Sequence, residues 1–141
     1  MQVNFFYKNS TADEKREFII KKIIRNSCQY LTLPNKLDVY ICLLNDNTYG
    51  GVDQFFSDRI ILSSVLNLQT IPIILIHELI HIDQQQSGTL KISKDGWYKW
   101  KGKLHSNVKP TNLDHNEYLN LPWEMDVYNR LPALIQKILD I

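Results

Sequence analysis

The feature that most constrains this chain is the stretch TIPIILIHELIHIDQQQSG, residues 70–88, in which two histidines and a glutamate interrupt an apolar run. Apolar side chains on most sides of a helical wheel predict a buried helix. Pro72 suits the first turn, Thr70 can cap it, and Gly88 stands where the helix would stop. Ionisable groups buried in such a helix cost free energy unless they are paired or bind a metal.

The spacing of the three ionisable side chains predicts a zinc site. Residues four apart on a helix share one face, with about 5–6 Å between Cβ atoms. The imidazoles of His77 and His81 can therefore bind one Zn²⁺, while Glu78 can accept a proton from a water on that ion. We predict His77 and His81 as zinc ligands and Glu78 as the general base. In the alternative, both histidines are core residues bonded to the backbone and Glu78 pairs with a lysine. The free-energy cost of burying these groups is then not offset by a metal ion.

A catalytic zinc needs a third protein ligand and an open position. The third ligand must come from downstream of the helix. The residues of a suitable type are His105, His115, Glu117, Glu124 and Asp126. The residues alone leave this choice open, since Glu124 could also be an exposed first-turn glutamate favoured by the helix dipole.

A resemblance to a known family narrows the choice. HELIHIDQQQSG followed by YLNLPWEMDVYNR resembles the zincin metallopeptidases, specifically the gluzincin branch. There a second helix supplies a glutamate ligand, often within a pattern of the type Glu-x-Glu/Asp-Ala-Asp/Tyr. In this chain the pattern starts at Glu124, and Val127 replaces the small residue. Chain length and the PWE stretch also resemble the minimal single-domain metallopeptidases predicted in bacteriophage genomes.

The resemblance implies an α+β, zincin-like domain that hydrolyses peptide bonds with Zn²⁺. A small mixed sheet would pack on the HELIH helix, and a C-terminal helix would present Glu124 as the third ligand. His115 is the alternative ligand and would indicate a different zincin branch. Tyr128 stands where many families have an aspartate, so Asp126 or Asp83 would have to orient the metal histidines.

A developing oxyanion needs a hydrogen-bond donor besides the metal. The candidates are Tyr118, Tyr128, His105 and His115. We predict Tyr128 as the catalytic donor because it falls one turn after Glu124 on the same helix face. The alternatives for Tyr128 are packing or a hydrogen bond to a ligand.

The rest of the chain predicts a first helix, three strands, an aromatic and basic ribbon or loop, and two C-terminal helices separated at Pro132. These elements span residues 12–30, 37–44, 52–56, 59–63, 89–108, 121–130 and 132–141. Thr11 is the predicted N-cap of the first helix, with Glu14 completing a capping box. NDNTYGG predicts a turn. The strands at 52–56 and 59–63 could form a tight hairpin whose edge holds an extended peptide.

Composition and charge limit the partners. A chain of 141 residues is most simply one domain, 1–141. Sixteen basic against fifteen acidic residues give no electrostatic reason to expect nucleic acid or an anionic membrane. No apolar run suits a signal peptide or a membrane span. We expect a cytoplasmic monomer that acts on a peptide or protein, and the phage resemblance adds a virus-encoded protein acting in a host cell as an option.

Two other functions are compatible with the same motif. One is a zinc-stabilised binding or scaffold module without turnover. The other is a zinc amidase that acts on non-protein amide bonds. Both keep the metal ligands and differ from the peptidase in their substrate or in having none.

Overall fold

A computed structural model of the chain describes residues 1–44, 50–52, 57–105 and 114–140, with backbone alone at Val52 and His115. These residues contain four helices and two sheets, so the fold is α+β as predicted. The strands are β1 Gln2–Lys8, β2 Lys36–Cys42, β3 Gly50–Val52, β4 Arg59–Ser63, β5 Leu90–Ile92, β6 Tyr98–Trp100 and β7 Lys103–His105. The helices are α1 Glu14–Ser27, α2 Ile71–Gln86, α3 His115–Leu119 and α4 Pro122–Leu139.

The larger sheet has the strand order β1-β2-β4-β3. The strands β1, β2 and β4 run parallel, and β3 is antiparallel to β4 at the edge. Alternate side chains of β2, such as Val39 and Ile41, are fully buried because they point towards the helices. Together with residues of α1, α2 and α4 they form one apolar core.

Strand β1 was absent from the sequence prediction. Val3, Phe5 and Tyr7 pack against the core, while Gln2 and Lys8 are exposed. Phe6 obscures this alternation because it is a large apolar residue on the outer face, where it stacks on Tyr40. With β1 in place, β1, α1 and β2 form a βαβ unit.

The predicted cap of α1 is wrong. The N-cap is Asp13, whose carboxylate accepts hydrogen bonds from the backbone N–H groups of Lys15 and Arg16 at 3.0 and 3.2 Å. One aspartate therefore satisfies two unpaired donors of the first turn. The Thr11 carbonyl instead accepts a hydrogen bond from the Arg16 guanidinium at 2.8 Å.

The hairpin before α2 is antiparallel, but its first strand begins at Gly50, within the predicted turn. A Cβ at Gly50 would lie 2.9 Å from the backbone oxygen of Ile61, so this glycine allows a close approach between strands. The predicted strand at 59–63 is confirmed as β4. Residues 45–49 and 53–56, which belong to the predicted turn and first strand, lie outside the described residues.

Helix α2 occupies the predicted residues. It contacts α1, α4, β3 and β5, and Leu75, Ile76, Leu79 and Ile80 are fully buried. Each such side chain contributes about 1.5–3 kcal/mol by leaving water. Although α2 is apolar, neither it nor any other helix in the described part of the chain has both the length and the hydropathy needed to cross a bilayer.

The ends of α2 are only partly as predicted. Gly88 adopts φ = 79° directly after the helix, as expected for a glycine that ends it. Thr70 occupies the N-cap position without capping, because its hydroxyl donates to Asn67 Oδ1 at 2.8 Å.

The C-terminal segment forms one helix, and the predicted interruption at Pro132 is wrong. A proline leaves the carbonyl four residues earlier without its N–H donor. Here Pro132 and Tyr128 both lie on the exposed face of α4. Packing of Val127, Leu134 and Ile138 on the opposite face keeps the helix continuous.

The aromatic and basic stretch after α2 folds as an antiparallel sheet, β5-β6-β7, in agreement with a ribbon. Gly96 and Gly102 adopt positive φ at its two turns. Leu90 and Tyr98 from this ribbon pack with Leu121 and Trp123 in a second, smaller core. That contact places the ribbon beside the start of α4.

Candidate metal centre

Helices α2 and α4 bring three of the predicted ligands together. His77 and His81 lie one turn apart on α2, and Glu124 is in the first turn of α4. The Nε2 atoms of His81 and His77 lie 3.1 and 3.6 Å from the two carboxylate oxygens of Glu124. Within the described part of the chain, this is the one group of three such side chains whose ligand atoms all lie within 4.8 Å of one another.

The donor atoms of this cluster fit a zinc ion. The Glu124 side chain is only 3 % exposed, and its Oε1 accepts a hydrogen bond from the Tyr118 hydroxyl at 2.9 Å. Its Oε2 is buried and has no hydrogen-bond partner among the described residues. A buried carboxylate oxygen without a donor is unfavourable, and a cation between Glu124, His77 and His81 would satisfy it. Two imidazoles and one carboxylate are a ligand set that Zn²⁺ prefers.

The charges at the centre are coupled. Burial alone would raise the pKa of Glu124, but the neighbouring imidazoles of His77 and His81 outweigh it and hold that pKa at about 2. Burial likewise opposes a charge on His81, yet the hydrogen bond and charge of Glu124 raise its pKa above the ordinary value. Glu124 is therefore an anionic ligand over the whole physiological range.

Glu78 lies beside this cluster, as its place in the motif predicts. It is buried and lines the same cavity as His81 and Glu124. Burial raises the pKa of Glu78 above its ordinary value, although the charges of His81 and His77 act in the opposite direction. A carboxylate with a raised pKa is better able to take up a proton near neutral pH.

Gln84 is a member of the site that the sequence prediction missed. Its Oε1 lies 2.9 Å from His81 Nδ1. Its Nε2 donates to the backbone oxygen of Trp123 at 2.8 Å and to Asp126 Oδ2 at 2.9 Å. The available signal was its spacing, since a residue three positions after His81 shares its helix face.

The two aspartates expected to orient the metal histidines lie further away. Asp126 reaches His81 only through Gln84, and it also accepts a hydrogen bond from Arg130 at 3.1 Å. Asp83 binds the same guanidinium at 2.8 Å and accepts the backbone N–H of Thr32 at 2.6 Å. These side chains connect α2 to α4 behind the metal ligands.

Two tyrosines flank the centre in different ways. Tyr118 lines the cavity and donates to Glu124. Burial and the neighbouring Glu124 charge raise the pKa of Tyr118, so its hydroxyl stays protonated. Tyr128 is 48 % exposed, and its ring lies edge-on to His77 with centroids 6.0 Å apart. Tyr128 is thus near the ligands, as its spacing predicts, and its catalytic role stays a prediction.

The other candidate ligands whose side chains the structure describes do not join the cluster. His105 lies on β7 with its ring edge against Trp123, centroids 5.7 Å apart. Glu117 is exposed in α3, and Asp126 is bonded to Gln84 and Arg130. The side chain of His115 lies outside the described residues.

A cavity of about 250 Å³ opens next to the ligands. Glu78, His81 and Glu124 form one side of it. The other walls come from the backbone of Gly50 and Gly51, from Leu90, Ile92 and Tyr98 of the ribbon, and from Tyr118. The cavity is therefore bounded by an edge strand, an apolar wall and side chains of the candidate metal centre.

No protein-family model, curated protein or solved structure matches the chain. The function of this chain must therefore be inferred from its residues and their geometry.

Proposed function

We propose that this chain is a zinc-dependent metallopeptidase with a zincin-like arrangement of its HELIH helix, mixed sheet and C-terminal helix. The observation that supports it most is the close approach of His77, His81 and Glu124 to one another. The Oε2 atom of Glu124 is buried there and has no hydrogen-bond partner among the described residues. The buried acid Glu78 at the same cavity adds the group that hydrolysis requires.

Each side chain then has a chemical role. His77, His81 and Glu124 hold the ion, and Tyr118 keeps the Glu124 carboxylate oriented through its hydrogen bond. When bound, Zn²⁺ supplies Lewis acidity that lowers the pKa of water and polarises a carbonyl. Glu78 takes a proton from the attacking water and returns it to the leaving amine. Tyr128, beside His77, is the proposed donor to the developing oxyanion.

The substrate in this proposal is an extended peptide. Strand β3 is at the edge of the larger sheet, and its Gly50 and Gly51 line the cavity. A peptide can add to such an edge by backbone hydrogen bonds. Leu90, Ile92 and Tyr98 then offer an apolar surface to one of its side chains.

Replacing Glu78 by glutamine tests the proposal. The change keeps side-chain size and all three ligands but removes the proton acceptor. We expect unchanged zinc content by mass spectrometry, and a loss of about 10²–10⁴-fold in cleavage of a random peptide library. Glu14→Gln, the same substitution at an exposed position of α1, should cleave like the wild type.

The other outcomes are also informative. Cleavage by Glu78→Gln at the wild-type rate would refute the mechanism. Zinc binding without cleavage of any peptide by the wild-type protein would favour the scaffold module. Hydrolysis of non-protein amides alone would favour the amidase.

A further inference from the structure

We infer that Gln84 is a positioning residue that keeps a proton on Nδ1 of His81 and turns its ring so that Nε2 faces the other ligands. The inference deepens the proposed function, on which its consequence for zinc binding rests. The Nδ1 proton itself follows from hydrogen bonds that need no ion.

The orientation of the Gln84 amide is set by its neighbours on α4. Its Nε2 lies 2.8 Å from the backbone oxygen of Trp123 and 2.9 Å from Asp126 Oδ2. A carbonyl oxygen and a carboxylate oxygen can only accept, so the NH₂ end of the amide must face them. The reversed amide would place Oε1 against two oxygens without a proton between them. Oε1 of Gln84 therefore faces His81.

This orientation makes Nδ1 of His81 a hydrogen-bond donor. Gln84 Oε1 has no proton to donate, so at 2.9 Å the Nδ1 of His81 must be the donor. The other nitrogen, Nε2, then lies 3.1 Å from Glu124 Oε1, where a proton on it pairs with the carboxylate in the metal-free protein. A metal takes the place of that second proton, while Nδ1 keeps its own. Gln84 thus turns the nitrogen that can bind a metal towards the cluster before any ion binds.

Burial stabilises the hydrogen bond between Gln84 and His81. Gln84 is 1 % exposed, so water cannot easily replace its hydrogen bonds. It lies behind the ring of His81, away from the cavity that Glu78 lines. Asp126, which receives the Gln84 amide, is itself held by Arg130. The hydrogen bonds that join α2 to α4 therefore also set the ring of a metal ligand.

The first test uses the wild-type protein without metal. Long-range ¹H–¹⁵N correlation spectra at pH 9 report the protonated nitrogen of each imidazole, and four histidines are few enough to assign by substitution. We expect Nδ1 of His81 to hold a proton and to exchange it slowly with water, whether or not Nε2 also holds one. A neutral His81 with its proton on Nε2, or a mixture of both neutral tautomers, would overturn the inference.

The second test separates positioning from general support of the fold. Gln84→Met keeps the length and burial of the side chain but removes the amide oxygen that accepts from His81 Nδ1. The Nδ1 proton of His81 should then no longer be fixed, and zinc binding should weaken by about 10–100-fold. Gln86→Met is the matched control, because Gln86 is exposed and its amide donates to Ser57. It should keep the wild-type tautomer and zinc affinity.

Gln84→Glu distinguishes the two roles further. One carboxylate oxygen still accepts from His81, while the other faces the oxygens of Trp123 and Asp126 and lowers stability. We expect this variant to unfold more easily than Gln84→Met and yet bind zinc more tightly. Affinities that follow stability instead would show a merely structural role.

Failure of this inference is distinguishable from failure of the proposed function. A wild-type protein that takes up no zinc would contradict the function, while the spectra of the metal-free protein would still decide the tautomer. Full zinc affinity in Gln84→Met would overturn the inference and leave the metal centre in place.

Discussion

Replacing Glu124 by glutamine should make the metal-free protein less sensitive to acid. Without an ion, the Glu124 carboxylate accepts a hydrogen bond from Tyr118 and lies 3.1 and 3.6 Å from the Nε2 atoms of His81 and His77. Glutamine keeps the shape of this side chain but has no charge. The variant therefore removes the ionisation of one buried group.

The magnitude follows from the pKa of Glu124. Burial disfavours the charged form, but the neighbouring imidazoles of His77 and His81 outweigh it and lower the pKa from 4.5 to about 2. A pKa lowered in the folded state stabilises the fold above pH 4.5, and this is lost as the pH falls towards 2. The difference corresponds to about 3 kcal/mol, of which on the order of 2 kcal/mol is lost by pH 3. Below pH 5 His81 does not change this loss in the wild type, because its raised pKa keeps it protonated in the folded protein as well as in the unfolded chain.

Urea unfolding followed by circular dichroism measures this effect. Wild type and Glu124→Gln, both freed of metal with a chelator, are compared between pH 5 and pH 3, where a histidine of the unfolded chain stays protonated. The free energy of unfolding of the wild type should fall by about 2 kcal/mol over this interval, and that of the variant should fall by less. Glu14→Gln, at an exposed position, should behave like the wild type.

Equal acid sensitivity of wild type and Glu124→Gln would refute the reasoning, because the carboxylate would then not be paired with the histidines in solution. Zinc content of the same proteins tests the ligand. Wild type should bind zinc in equimolar amount, and the variant much more weakly. Full retention by the variant would exclude Glu124 as the third ligand and favour a residue such as His115.

Two further predictions concern proton competition and the edge strand. Burial lowers the pKa of His81, but Glu124 outweighs this and raises it, so protons should compete with zinc from a higher pH than for a free imidazole. Competition titrations between pH 8 and 6 should show falling zinc affinity, and a constant affinity would contradict the pairing. Gly50→Ala should destabilise the fold by about 1–3 kcal/mol, since its Cβ would lie 2.9 Å from the Ile61 oxygen. Gly51→Ala is the control, because its Cβ would meet no described atom within 4 Å. Its free energy of unfolding should stay within about 0.5 kcal/mol of the wild-type value. Equal melting temperatures of the two variants would refute this account of β3.

Local patterns were sufficient for the parts of the fold that depend on neighbouring residues. The limits of α2 were predictable because Pro72 and Gly88 act on the backbone next to them. The strands β2 and β4 were predictable from short runs of β-branched side chains.

Other elements were not predictable, because distant packing outweighs local preference. Pro132 indicates a break, yet it lies on the exposed face of α4 and the opposite face packs against the core. Gly50 indicates a turn, yet it lies in a strand because Ile61 approaches closely. Phe6 hides the alternation of β1 because its partner Tyr40 is on another strand.

The same division holds in the candidate metal centre. The sequence by itself determined that His77 and His81 share one helix face with Glu78 beside them, because helical periodicity depends only on spacing. Only the tertiary structure decided that Glu124 meets them and that Gln84 orients His81. Gln84 finds its acceptors 39 and 42 residues away, on α4, and such contacts exist only once the cores that join the two helices have formed.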